Sequence, residues 1–88
     1  MKVLAICRPR AGTEPAELAR HVADEVDHLE RLREGGTLLE AYRPGGPGAV
    51  LVLEASGLQE AQSAVHDLPL AVAGLIDAEL IVLHPLRY

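Results

Sequence analysis

Residues 48–57 read GAVLVLEASG, and the fold turns on how this stretch is covered. Successive side chains of an extended strand point to opposite sides. Ala49, Leu51 and Leu53 therefore face one way, and Val50 and Val52 the other. Both sides are apolar, and a chain of 88 residues has little material with which to bury both.

The flanking sequence supplies the rest of the layout. Lys2–Arg8 is a β-rich run stopped by Pro9, and it reads as a first strand. Thr13 is placed as the N-cap of a helix with Glu14 and Pro15 in its first turn. That helix is predicted over residues 14–34, with Gly35 and Gly36 as its stop. Thr37–Arg43 forms a second strand, PGGPG (residues 44–48) a turn, and Ala49–Glu54 a third strand. Ser56 and Gln59 have capping-box spacing. A second helix is predicted from Leu58 to Asp67, with Leu58, Ala61, Val65 and Leu68 inward and Pro69 ending it. LPLAVAGL (68–75) is an apolar connection with room for one helical turn, and Asp77–His84 is the fourth strand, stopped by Pro85.

The order βαββαβ predicts an α+β fold, the ferredoxin-like plait: an antiparallel four-stranded sheet with two helices on one face. Two helices cover only one face. The fourth strand nevertheless places Ala78, Leu80 and Val82 on one side and Ile81 and Leu83 on the other. A bare apolar sheet face is a large exposed patch, and the simplest cover is the same face of a second copy. This predicts a homodimeric α+β barrel, with an apolar pocket in the space left between sheet and partner. The chain is read as one domain, residues 1–88.

Composition excludes several function classes. The net charge is −5, with no dense basic block, and there are two Tyr, no Phe and no Trp. Neither a phosphate-binding surface nor a base-stacking platform is present, which argues against nucleic acid. No run approaches a membrane span, so no membrane partner is expected and the chain is read as soluble and cytoplasmic. The one cysteine, Cys7, cannot pair within the chain and is read as a small buried hydrophobe. There is no Gly-rich phosphate loop, G-x-S-x-G elbow or CxxC pair.

Candidate chemistry lies on the first helix, in HVADEVDHLERL (21–32). With Leu18 at zero and about 100° per residue, Val22, Leu29 and Leu32 form an apolar stripe, and Glu25 falls inside it at about −20°. Burial would raise the pKa of such a carboxylate and suit it to general-base work near neutral pH. Two other readings stand beside this one: an ion pair with an Arg, or a helix rotated so that Glu25 lies at a wet margin. His21 and His28 flank Glu25 at the edge of the stripe, but their spacing lacks the pattern of a metal site and no metal is expected. Arg43, next to Tyr42 at a strand end, is either a carboxylate clamp at a pocket mouth or a solvated terminus. His66 lies where a cation suits the helix dipole, and strand parity leaves the direction of His84 open.

Three stretches carry a family likeness: EGGTLLEAYR (34–43), DLPL (67–70) and LHP (83–85). With their joint spacing, the chain resembles the muconolactone delta-isomerase family of small dimeric α+β barrels over nearly its whole length. The resemblance implies a homodimer able to join a larger ring, no cofactor, and a role in aromatic-compound catabolism. It places Glu25, counted back from Gly36, at the family's acid/base carboxylate. Tyr42 and Arg43 fall at its aromatic-Arg pair and His84 at its His-Pro. Tyr42 replaces a common Trp, His28 stands where another residue is frequent, and the hairpin turn is unusually rich in Gly and Pro. The implied activity is a cofactor-independent isomerase, or a related enzyme, acting on a small unsaturated lactone or polyketide-like ring. Glu25 and His28 are placed as catalytic groups, and His21, Tyr42, Arg43 and His84 as substrate contacts. A cofactor-free monooxygenase-like barrel and a non-catalytic small-molecule-binding or assembly protein are the alternatives on the same fold.

Overall fold

The computed structural model describes residues 1–88. Its elements are β1 (Lys2–Pro9), α1 (Pro15–Ala19), α2 (Val22–Glu34), β2 (Leu38–Tyr42), β3 (Ala49–Glu54), α3 (Leu58–His66), α4 (Pro69–Val72) and β4 (Ile76–Leu83). The strands form one sheet in the order β2-β3-β1-β4, and every pairing is antiparallel. This is the predicted ferredoxin-like arrangement, with the helices on one face. No helix is long and apolar enough to cross a membrane.

Alternation decides which side chains meet the helices. Val3, Ala5 and Cys7 of β1 and Leu51 and Leu53 of β3 are buried on the helix side. Ala61 and Val65 of α3, with Leu68 just beyond it, pack onto them, and Leu29 and Leu32 of α2 add partial cover. On the other side, register sets Leu4 opposite both Val52 and Ile81, and Ile6 opposite Val50. No element of the chain lies over this second face, and Ile81 remains exposed on it. Arg8 and Glu79 pair at 3.4 Å at its rim.

The first predicted helix is broken. Residues 20 and 21 form a turn: the His21 N–H donates to the Leu18 carbonyl at 3.1 Å, and α2 restarts when the Glu25 N–H donates to the His21 carbonyl at 2.9 Å. His21 has φ −107° and ψ 0°, outside the helical region. No Gly or Pro marks the break. Both predicted caps also differ. The Thr13 hydroxyl donates to the Leu75 carbonyl at 3.4 Å, and Glu14 takes the N-cap position, its N–H bonded to the Glu17 carboxylate at 3.2 Å. The Ser56 hydroxyl donates to the Glu60 carboxylate, which leaves Gly57 as the N-cap of α3. Leu58 is exposed rather than inward, and Pro69 opens α4 rather than closing α3.

The hairpin between β2 and β3 is fixed at one point. Gly48 has φ +123°, and a Cβ there would fall inside the van der Waals shell of the Cys7 carbonyl oxygen. Only glycine lets β3 begin this close to β1. Gly48→Ala is expected to destabilise the fold by about 2 kcal/mol or more, lowering the melting temperature by roughly 10 °C. Urea unfolding and thermal melts followed by circular dichroism measure the two effects.

Candidate functional site

A cleft of about 730 Å³ opens on the helix side of the sheet. One wall is formed by Leu18 of α1 and Val22, Glu25 and Leu29 of α2, and the opposite wall by the loop from Arg43 to Gly48. Cys7, Ala49 and Leu51 form the floor, and Leu68 and Leu70 close one end. This hollow lies within one chain, on the helix side of the sheet, a pocket additional to the one the sequence reading expected between sheet and partner. The reason is local. Small side chains at Cys7 and Ala49 and a loop of Gly and Pro cannot fill the space beneath the N-terminal part of α2.

Glu25 is the one carboxylate lining this cleft. Its Oε1 accepts the backbone N–H of Leu70 at 3.0 Å, so the first turn of α2 is tied to α4. No arginine pairs with it: the ion pairs are Met1 amine–Glu54, Arg8–Glu79 and Arg10–Asp77. Burial pushes the Glu25 carboxyl above its usual value of 4.5, against smaller opposing effects from the Leu70 N–H, His28 and His21. Burial, with the nearby Glu25 charge, also pushes the Cys7 thiol up to about 11. Cys7 is therefore a neutral, unreactive thiol in the cleft floor at physiological pH.

The structure brings two of the sequence-predicted residues to the cleft, Glu25 and Arg43. His21 and His28 are half-buried beside Glu25 but do not line the cleft. Tyr42 is exposed, and its hydroxyl donates to the Glu40 carboxylate at 3.0 Å. Register pairs Tyr42 with Val50, placing it on the uncovered face of the sheet. His84 is exposed just past the end of β4 and also lies outside the cleft. No three His, Cys, Asp or Glu side chains converge in a way that could hold a metal ion. Sequence reasoning missed the Leu70 N–H, since a backbone donor leaves no residue signature. It also read residues 44–48 as a turn only, although an irregular wall is what two prolines and three glycines would build.

Solved structures share this fold. Muconolactone isomerase superposes with a TM-score of 0.76 at 23% identity, over 97% of this chain and 92% of the other. A 5-chloro-2-hydroxyhydroquinone dehydrochlorinase from Burkholderia phenoliruptrix, in complex with 2,5-dihydroxybenzoquinone, superposes with a TM-score of 0.75 at 21% identity, over 96% and 94%. No protein-family model and no curated protein sequence matches the chain. At these identities the likeness establishes the fold.

The raised pKa has a consequence for stability. Between the unfolded value of 4.5 and the higher folded value, the folded chain holds the Glu25 proton more tightly than the unfolded chain does. That contribution to stability is therefore lost as pH rises through this window. An uncharged isostere escapes the loss. Glu25→Gln is expected to melt higher than the wild type at pH 7, with the difference closing below pH 4.5; thermal melts across pH 3.5–8 measure it.

Proposed function

We propose that this protein is a cofactor-independent enzyme that relocates a proton within an unsaturated lactone or polyketide-like ring, with Glu25 as its acid/base group. The observation that carries the reading is a half-buried carboxylate with no counter-ion, held by one backbone N–H inside an apolar cleft. Desolvation makes such a carboxylate a stronger base than one in water. The shared fold adds support, since one of the similar structures is named as an isomerase of a lactone.

The step balances without a cofactor. The Glu25 carboxylate removes a proton from the carbon between the ring carbonyl and the double bond. The electron pair passes into a dienolate, and the neutral Glu25 carboxyl returns the proton at the far end of the allylic system. Net charge and atom count are unchanged. Arg43, which lines the same cleft, would hold an acidic substituent or the developing enolate oxygen. His21 and His28 lie beside Glu25, and their electrostatic influence opposes the rise in its pKa. Tyr42 and His84 stand outside the cleft of their own chain, so a substrate contact by either requires a second copy.

A second copy is part of the reading. The face bearing Leu4, Ile6, Val50, Ile81 and Leu83 is uncovered, and only 12 of 88 residues are buried, a thin core that a sheet-to-sheet contact would enlarge. Glutamate at Ile81, on an edge strand, would place a charge in that contact. Wild-type protein is expected at twice the chain mass by light scattering, and Ile81→Glu at the mass of one chain with its circular dichroism retained.

Catalysis is tested with one-ring and two-ring unsaturated lactones, muconolactone among them, followed by ultraviolet absorbance. Glu25→Gln is expected to lower kcat at least about 100-fold with little change in KM. Unchanged turnover would remove Glu25 from the mechanism.

A further inference from the structure

We infer that the Arg43–Gly48 loop sizes the cleft for a ligand of at least two fused rings bearing an acidic group. This rests on the cleft being the substrate site, and it narrows the substrate class. Three observations converge on it.

The first is volume. About 730 Å³ lies in the upper part of the range that encloses drug-sized ligands, about 300–1,000 Å³. A two-ring body fills more of that space, and buries more apolar surface in it, than a single lactone ring does.

The second is that the wall facing α2 is bare without any backbone requirement for it. Gly48 must be glycine, because its φ is +123° and a Cβ would meet the Cys7 carbonyl. Gly45 and Gly46 are different. Neither has a positive φ, and a Cβ on either would meet nothing within 4 Å. Larger residues fit the backbone at both positions, yet both are glycine and both line the cleft. Their effect is a stretch of cleft lining that carries no side chains.

The third is the distribution of charge. The cleft holds one cationic side chain, Arg43, and one carboxylate, Glu25, and nine of its sixteen lining residues are hydrophobic. An extended apolar ring system fits between the two walls, with its acidic group at Arg43 and an enolisable carbon at Glu25. Pro44 and Pro47 offer ring edges to such a body and no N–H donors.

A matched pair of probes tests this by calorimetry: 2,5-dihydroxybenzoate with one ring and 1,4-dihydroxy-2-naphthoate with two. Both carry the same kind of acidic head group. Wild-type protein is expected to bind the two-ring acid about tenfold more tightly, from the added apolar area buried. Gly46→Leu is expected to reduce that preference to about parity, and Gly45→Leu, as a second variant, to move it the same way. Circular dichroism checks that each variant is folded. Equal affinities for the two acids in the wild type, binding of neither, or a preference that both folded variants retain would each overturn the inference. The readout needs no turnover. An active Glu25→Gln would refute the proton-transfer reading while leaving the ring-size preference standing, and loss of the preference alone would leave Glu25 chemistry intact.

Discussion

The hydrogen bond from the Leu70 N–H to Glu25 Oε1 is the contact on which the site depends. It joins the first turn of α2 to α4 through two residues 45 positions apart in sequence, across the end of an apolar cleft. It also satisfies one oxygen of a carboxylate that has no cationic partner. Burial costs the charged form solvation, and a single neutral donor returns only part of it. The balance favours the protonated form, and the carboxyl is raised rather than lowered. A carboxylate of this kind weakens the fold at neutral pH. Its presence among leucines is easier to understand as chemistry than as architecture.

The cleft and the sheet have a common origin in the size of side chains. Large residues, Leu51, Leu53 and Leu68, fill the centre of the helix side, while Cys7 and Ala49 leave the end near the hairpin empty. The hairpin then runs as Gly and Pro instead of folding a side chain inward. Gly48 holds it close to β1, so the loop stands as a wall and not as a plug. The uncovered face of the same sheet is apolar across β1, β3 and β4, and its rim is polar: Glu40, Glu54 and the Arg8–Glu79 pair surround it. An apolar centre with a charged border is the anatomy of a protein–protein contact.

Period-two and helical patterns made most of the fold legible. The alternation of Leu51 and Leu53 with Val50 and Val52 identified a strand with two apolar faces, and the spacing of Ala61, Val65 and Leu68 identified the helix that covers one of them. Glu25 was visible as a misplaced charge for the same reason. Features set by distant partners were not visible. Thr13 has the chemistry of a helix cap, but its hydroxyl reaches Leu75, and Ser56 reaches Glu60. The break at Arg20 and His21 carries no breaker residue. The side of the sheet on which the hollow lies follows from volumes left unfilled in three dimensions, which no local pattern encodes.

The most direct measurement is a carbon-13 NMR titration of the Glu25 side-chain carboxyl in the intact protein. A midpoint above 4.5 is the expected result, since burial outweighs the Leu70 N–H and the two histidines. A midpoint at or below 4.5 would mean a solvated or ion-paired carboxylate, and it would contradict the desolvated acid/base group on which the functional reading stands.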